Sequence, residues 1–338
     1  MAVRIWFNHW FSSVYNIIDM MRRDCVQELY VIGSNKRSAA VYKSVCDEWH
    51  VEPDGCSAAE YVEYCLAFCQ EHQVEVFVPR RELVAIAENA ERFEEIGVKL
   101  FCSVDKALVR LLEDKGGTYD YFREKGFDCI PEVRLVHSVE EFVAAYHELK
   151  TEDTRVCYKL NEDEGARSFR VIDERLSQKR ALMEKPGFKI SLENAVAVLS
   201  QYDFAIPVML MTYLEGTETS VDCLRTEKGN LIIPRTKMAG RYSEVAFDED
   251  VMALCGQIMD AVNASMPINI QLRRHRGRVY LLEINPRMSG GLQLSCEATG
   301  INLPGIAINR LLGAETDWSY PDIGRVQVAH VEKPVRLN

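Results

Sequence analysis

Glu283-Ile284-Asn285-Pro286-Arg287 closes an apolar run that begins at Tyr280, and Ser289-Gly290-Gly291 follows it. Residues two apart on a strand point to the same face, so Glu283 and Asn285 present their oxygens side by side. Hard divalent cations such as Mg²⁺ take oxygen ligands, commonly one or two carboxylates together with phosphate oxygens. Arg287 follows within reach of the same phosphates, and its planar fork suits them. The strand reads as one wall of a Mg-nucleotide site. Upstream, Ile268-Asn269-Ile270-Gln271-Leu272-Arg273 alternates apolar and polar, and Arg274-His275-Arg276-Gly277 is a turn candidate. The two runs predict an antiparallel hairpin, with Gln271 near Glu283 as a third oxygen ligand. An ordinary amphipathic hairpin would alternate in the same way. The ordered set of Gln, Glu-x-Asn-Pro-Arg and Ser-Gly-Gly sets this one apart.

A nucleotide also needs cations for its phosphates, an edge for adenine and acceptors for ribose. Lys159 ends the apolar strand Arg155-Val156-Cys157-Tyr158-Lys159, just before the polar loop Glu162-Asp163-Glu164-Gly165-Ala166-Arg167-Ser168. A cation there can reach α- and β-phosphates while the loop closes over them. Lys115 follows Asp114 and opens a predicted helix, with Gly126 eleven residues on. Lys106 competes less well for that role. Val208 to Gly216 is an apolar strand ending in a glycine turn. Arg235, Lys237 and Arg241 follow the strand Leu231-Ile232-Ile233-Pro234. They either hold a phosphate or carboxylate bidentately or form a solvated basic loop. Ser289-Gly290-Gly291 offers backbone N–H groups without side-chain obstruction, which suits an anion beside the metals.

These residues need a scaffold, and the first hundred positions alternate strand and helix. Strands are predicted at Val3–Phe7, Leu29–Gly33, Val74–Val78 and Val98–Cys102, and helices at about 13–23, 58–72 and 83–96. That alternation implies a parallel sheet covered by helices, whose ligands sit beyond the carboxyl ends of the strands. Asn8, Ser12, Ser13, Ser34, Arg80 and Arg81 are the candidates there. The loop after the first strand has no glycine, which excludes a dinucleotide fingerprint. A helix follows Ser138. Within the predicted helix Val251–Ser265, Val251, Leu254, Cys255, Ile258, Met259 and Val262 form a buried stripe.

The 338 residues are enough for two or three domains with a core. Apolar residues make up 47% and charged residues 27%, as in a soluble globular protein. A net charge of −11 argues against nucleic acid or an anionic membrane as partner, while leaving room for a cationic pocket. The longest apolar run falls short of the ~20 residues that span a bilayer, and no signal-peptide pattern opens the chain. The 11 scattered cysteines lack zinc spacing and read as reduced thiols of a cytoplasmic protein, with Cys65 and Cys69 both facing the core.

The run Glu283 to Gly291 resembles the metal-binding strand of ATP-grasp ligases and is most similar to the carbamoyl-phosphate-synthetase-like branch. The likeness continues through Cys296-Glu297-Ala298-Thr299-Gly300-Ile301-Asn302-Leu303-Pro304. The opening Val-x-Ile-Trp-Phe-Asn and the chain length also resemble stand-alone ATP-grasp proteins associated with tellurite-resistance (ter) operons. The resemblance implies an α/β fold, α+β in its C-terminal part. A Rossmann-like pre-ATP-grasp domain would span 1–104, a small lobe 105–215, and a large lobe with the metal site 216–338.

It also implies ATP and Mg²⁺, with Mn²⁺ an admissible substitute. Gln271, Glu283 and Asn285 would be the metal ligands. Lys115 and Lys159 match the two ATP lysines. Gly165 and Ser168 fall in the phosphate lid, which elsewhere is richer in glycine. Met211, Thr212, Tyr213 and Leu214 match the hinge at the adenine edge, with Glu218 at the ribose. Arg287, Arg235 and Lys159 would neutralise charge on the transferred group. Arg241, Ser289, Gly290, Gly291 and Arg80 would meet the substrate. The implied reaction joins a carboxylate to an amine or ammonia through an acyl phosphate. A nucleotide-binding regulatory protein without turnover and an ATP-grasp kinase are the alternatives. The expected partners are small molecules and a second copy of the chain in a homodimer, with neither nucleic acid nor membrane.

Overall fold

A computed structural model describes residues 2–103, 105–162, 167–176, 187–239 and 242–337. Gly165 and Arg241 lie outside the described residues. The chain divides into two units: 1–110, 217–271 and 284–338 form the first, and 111–216 with 272–283 the second.

The first unit opens with strands β1 (Val3–Asn8), β2 (Leu29–Asn35), β3 (Glu48–Val51), β4 (Val76–Val78) and β5 (Lys99–Leu100). They form a parallel sheet in the order β3-β2-β1-β4-β5. Helices α1 (Val14–Asp24), α2 (Ala58–Glu71), α3 (Leu83–Glu88) and α4 (Ala90–Glu95) connect them. The predicted single helix over 83–96 is two, because Asn89 leaves helical geometry (φ −105°, ψ 18°) and bonds its side chain to Ala85 O at 2.8 Å. Asparagine side chains compete with the backbone in this way. Ser57 and Glu60 start α2 with a capping box. Trp6 stacks between Phe68 and Phe77, with ring centroids 4.3 and 4.2 Å away. Such pairs add about 0.5–1.5 kcal/mol each beyond area burial.

The second unit holds the later part of α5 (Lys106–Glu113), α6 (Lys115–Glu124), β6 (Val133–Val136), α7 (Val139–Leu149), β7 (Val156–Leu160), β8 (Arg170–Ile172), β9 (Lys189–Ile190), α8 (Leu192–Leu199) and β10 (Val208–Thr212). Its sheet runs β6-β10-β7-β8-β9, with β10 antiparallel to both neighbours. Phe142, Tyr146, Tyr158 and Leu210 fill its core.

The rest of the chain supplies β11 (Glu218–Thr226), β12 (Gly229–Lys237), β13 (Tyr242–Val245), α9 (Glu249–Val262), β14 (Ile268–His275), β15 (Arg278–Asn285), α10 (Leu292–Thr299), α11 (Leu303–Leu311) and β16 (Val326–Ala329). The sheet order is β15-β14-β11-β12-β13-β16. The turn between β14 and β15 has Arg276 and Gly277 at φ 50° and 82°, the double positive φ that suits a tight hairpin. The stripe on α9 is buried as predicted, except that Leu254 is only half-buried. The core of the first unit joins residues from both ends of the chain: Ile17, Ile18 and Met21 of α1 pack with Leu303, Ala307 and Ile308 of α11. The expected fold class, α/β with antiparallel sheets in the later part, is the one observed.

Candidate nucleotide and metal site

In the second unit, Asp114 caps α6 by accepting from Gly117 N at 3.0 Å. Lys115 is thereby the first helical residue, and it is 8% exposed. Asn161, one residue past β7, accepts from Gly116 N and donates to Asp114 Oδ1, both at 2.8 Å. The two lysine-bearing elements are thus tied together through Asn161, which the sequence reading missed. A Cβ on Gly116 would meet Asn161 Oδ1 at 3.1 Å, so the glycine permits the approach. Lys159 Nζ lies 3.4 Å from Glu283 Oε2, and both side chains are mostly buried. Tyr119 OH on α6 donates to Leu282 O at 2.6 Å. The lysine expected at the phosphates and the carboxylate expected at the metal therefore lie side by side.

Ser168 Oγ accepts from Leu160 N at 2.9 Å, which moors the following edge of the loop to β7. Met209 and Leu210 of β10 are fully buried, and Met211 nearly so. Tyr213 N donates to Arg155 O at 2.7 Å, and Leu214 O accepts from Arg273 at 3.3 Å. Those two backbone groups of the expected adenine edge already have protein partners. Thr212 and Tyr213 line a cavity of about 150 Å³ with Glu215 and His275. Arg155 lies over the Tyr213 ring at 4.7 Å.

In the first unit, the residues expected near the reacting groups gather around a buried polar network. Arg235 is 5% exposed and donates to Ser220 Oγ at 3.2 Å and Ser295 Oγ at 3.3 Å. Ser295 donates to Asp222 Oδ2 at 2.7 Å, and Asn269 donates to Ser220 Oγ and Asp222 Oδ1 at 2.9 and 3.1 Å. Gln271 Nε2 lies 3.5 Å from Asn269 Oδ1, which turns its amide oxygen to other work. The strand expected at Leu231–Pro234 runs on to Lys237, with Arg235 buried in its interior. Lys237 pairs with Glu218. Arg287 donates to Asn285 Oδ1 at 3.3 Å and lies over Phe11 at 5.7 Å. Ser289 is buried, and Gly290 sits beside Ser13 and Phe11.

At the carboxyl ends of the parallel strands, Asn8 and Ser34 are buried and committed to structure. Ser34 Oγ and Tyr61 OH each donate to Glu52 at 2.9 Å, and Arg81 does so at 3.2 Å. Asn8 receives Arg80 N at 2.6 Å and donates to Tyr61 OH at 3.0 Å. Burial pushes the Tyr61 hydroxyl far above its ordinary range, so it remains a donor. The fully enclosed Glu52 carboxylate carries no local sequence signal, because its partners come from β2, from α2 and from the loop after β4.

Taken one by one, Glu283 offers a carboxylate oxygen and Asn285 and Gln271 amide oxygens, each the hard donor type that Mg²⁺ takes.

Residues 205–334 match the family described as ATP-grasp in the biosynthetic pathway with Ter operon. The carbamoyl phosphate synthase arginine-specific large chain of Geobacillus stearothermophilus is 23% identical over 320 residues, 90% of this chain. The chain spans 28% of that protein's length. The biotin carboxylase domain dimer of Hydrogenobacter thermophilus 2-oxoglutarate carboxylase, in complex with MgADP, ADP and bicarbonate, is similar in structure. Its TM-score is 0.69 at 15% identity, covering 96% of this chain and 72% of that one. An L-amino acid ligase from Bacillus licheniformis has a TM-score of 0.64 at 12% identity, covering 91% and 74%.

Proposed function

The chain has the ATP-grasp fold and resembles the carbamoyl-phosphate-synthetase-like branch, and from that premise we propose that it is an ATP- and Mg²⁺-dependent ligase joining a carboxylate to an amine or ammonia. A carboxylate oxygen attacks the γ-phosphorus of ATP, and the bond to the departing ADP oxygen breaks. The amine lone pair then attacks the acyl carbon, and phosphate leaves as the nitrogen gives up a proton. The observation that carries this reading is the Lys159–Glu283 contact at 3.4 Å, with Lys115 tied to the same strand end through Asn161.

The first step brings anions together, so positioning and charge neutralisation dominate. Lys115, Lys159 and Arg287 hold phosphate oxygens. Glu283, Asn285 and Gln271 would hold Mg²⁺, or Mn²⁺ in its stead, which supplies further charge neutralisation when bound. Ser289, Gly290 and Gly291 offer N–H groups to the acyl phosphate, and Arg235 fixes the glycine turn from behind. Met211 to Leu214 meet adenine, Glu218 the ribose, and Gly165 and Ser168 belong to the lid. Arg80 and Arg241 are assigned to the substrate carboxylate. The proposed setting is the cytoplasm, where reduced thiols persist. A homodimer is proposed by analogy with the dimeric biotin carboxylase domain.

Incubation with Mg-ATP and crossed panels of acids and amines tests the proposal. ADP and phosphate release that requires both an acid and an amine is the expected result. Nucleotide binding without turnover across the panel overturns it in favour of a regulatory binder. ADP with a stable phosphorylated product overturns it in favour of a kinase.

A further inference from the structure

Glu48 and His50 stand two apart on β3 and face the same side. His72 follows the last turn of α2. Glu48 and His50 are level with Ile32 and Ser34 of the neighbouring β2, on the β3 edge of the parallel sheet. His50 Nε2 and His72 Nδ1 each lie 2.7 Å from Glu48 Oε1. The three ligand atoms fall within 4.8 Å of one another. Phe68 packs against both imidazoles, with ring centroids 5.1 and 4.2 Å away, and so fixes their planes. Arg4 Nη2 holds the other carboxylate oxygen, Glu48 Oε2, at 2.9 Å. The guanidinium thus orients the carboxylate and leaves Oε1 to the histidines. Arg4 Nε also donates to His72 O at 2.5 Å, so one guanidinium holds two of the three residues in place.

We propose that Glu48, His50 and His72 form a Zn²⁺ site with water as the fourth ligand. Two imidazole nitrogens and one carboxylate oxygen are a donor set zinc takes readily. Ligand atoms at ~2.0–2.2 Å in tetrahedral array are about 3.3 Å apart, so small side-chain rotations open the cluster around the ion. The side chains are 16–31% exposed, which admits both ion and water. Arg4 acts as the outer partner that orients a ligand. The competing account is a hydrogen-bonded triad that takes no ion. The proposal does not rest on the ligase reading.

Calorimetric titration of the chelator-treated full chain with Zn²⁺, in excess Mg²⁺, decides between them. The expected result is one saturable equivalent, retained in Glu283→Gln. Affinity falls in His50→Gln/His72→Gln by more than the tenfold to hundredfold that losing an outer partner costs. Circular dichroism establishes that this double variant is folded. Should it fail to fold, Co²⁺ titration of the unaltered chain decides: visible ligand-field bands without a thiolate charge-transfer band support the site. Absence of saturable binding, binding undiminished in a folded double variant, or a thiolate band overturns the proposal.

Discussion

A Cβ at position 291 would lie 2.4 Å from Arg235 Nη2, so the backbone there is bare because a guanidinium occupies the space. Gly291→Ala therefore displaces Arg235 from Ser220 and Ser295. A misplacement of about 1 Å near a reacting centre costs about a hundredfold in rate, and steady-state kcat/KM of the proposed ligation reads that loss. Lys159→Ala acts on the nucleotide itself. It removes a charge-assisted contact worth about 1.5–3 kcal/mol, so calorimetry should record Mg-ATP binding weakened about tenfold to a hundredfold. Glu52 gives a different signature. Its carboxylate is fully buried and paired with Arg81. Breaking a buried pair costs about 3–5 kcal/mol, so Glu52→Ala should lower urea-unfolding stability by that amount.

Gly216 marks the element scale, because a Cβ there would lie 1.6 Å from Arg274 O in β14. The strand end and the turn after β10 meet backbone to backbone. Gly216→Ala should destabilise the second unit by about 1–3 kcal/mol or more, seen as faster hydrogen exchange at Arg273 to His275. Elements with local signals were legible. Asp114 announced α6, Gly277 announced the hairpin turn, and the 3.6-residue stripe announced α9. β3 was not, because Glu48-Trp49-His50-Val51 mixes charge and aromatics without a clean period. Asn269 was legible in principle, since it shares strand parity with Gln271, yet its work lies in a buried network whose other members are remote. The Lys159–Glu283 contact joins residues 124 apart. Residue order suggested both members, and only tertiary packing could bring them together.

At the scale of the whole molecule, a ligand that binds only the folded chain stabilises it by mass action. Mg-ATP at 100 times its dissociation constant should raise the unfolding free energy by about 2.7 kcal/mol. Thermal denaturation reads the gain, which Glu283→Gln should diminish at the same nucleotide concentration. The seam between α1 and α11 bears on how the chain is born. Asn302 Nδ2 donates to Met20 O and to Asp24 Oδ2, both at 2.7 Å, and Asn309 Nδ2 donates to Asp24 O at 2.8 Å. Asp24 and Asn302 are 278 residues apart. At about 5–20 residues per second on the ribosome, roughly 14 to 56 s pass between their synthesis. Throughout that interval the apolar face of α1 awaits the helix that covers it, and nascent chains stalled before residue 302 should be captured by holdase chaperones.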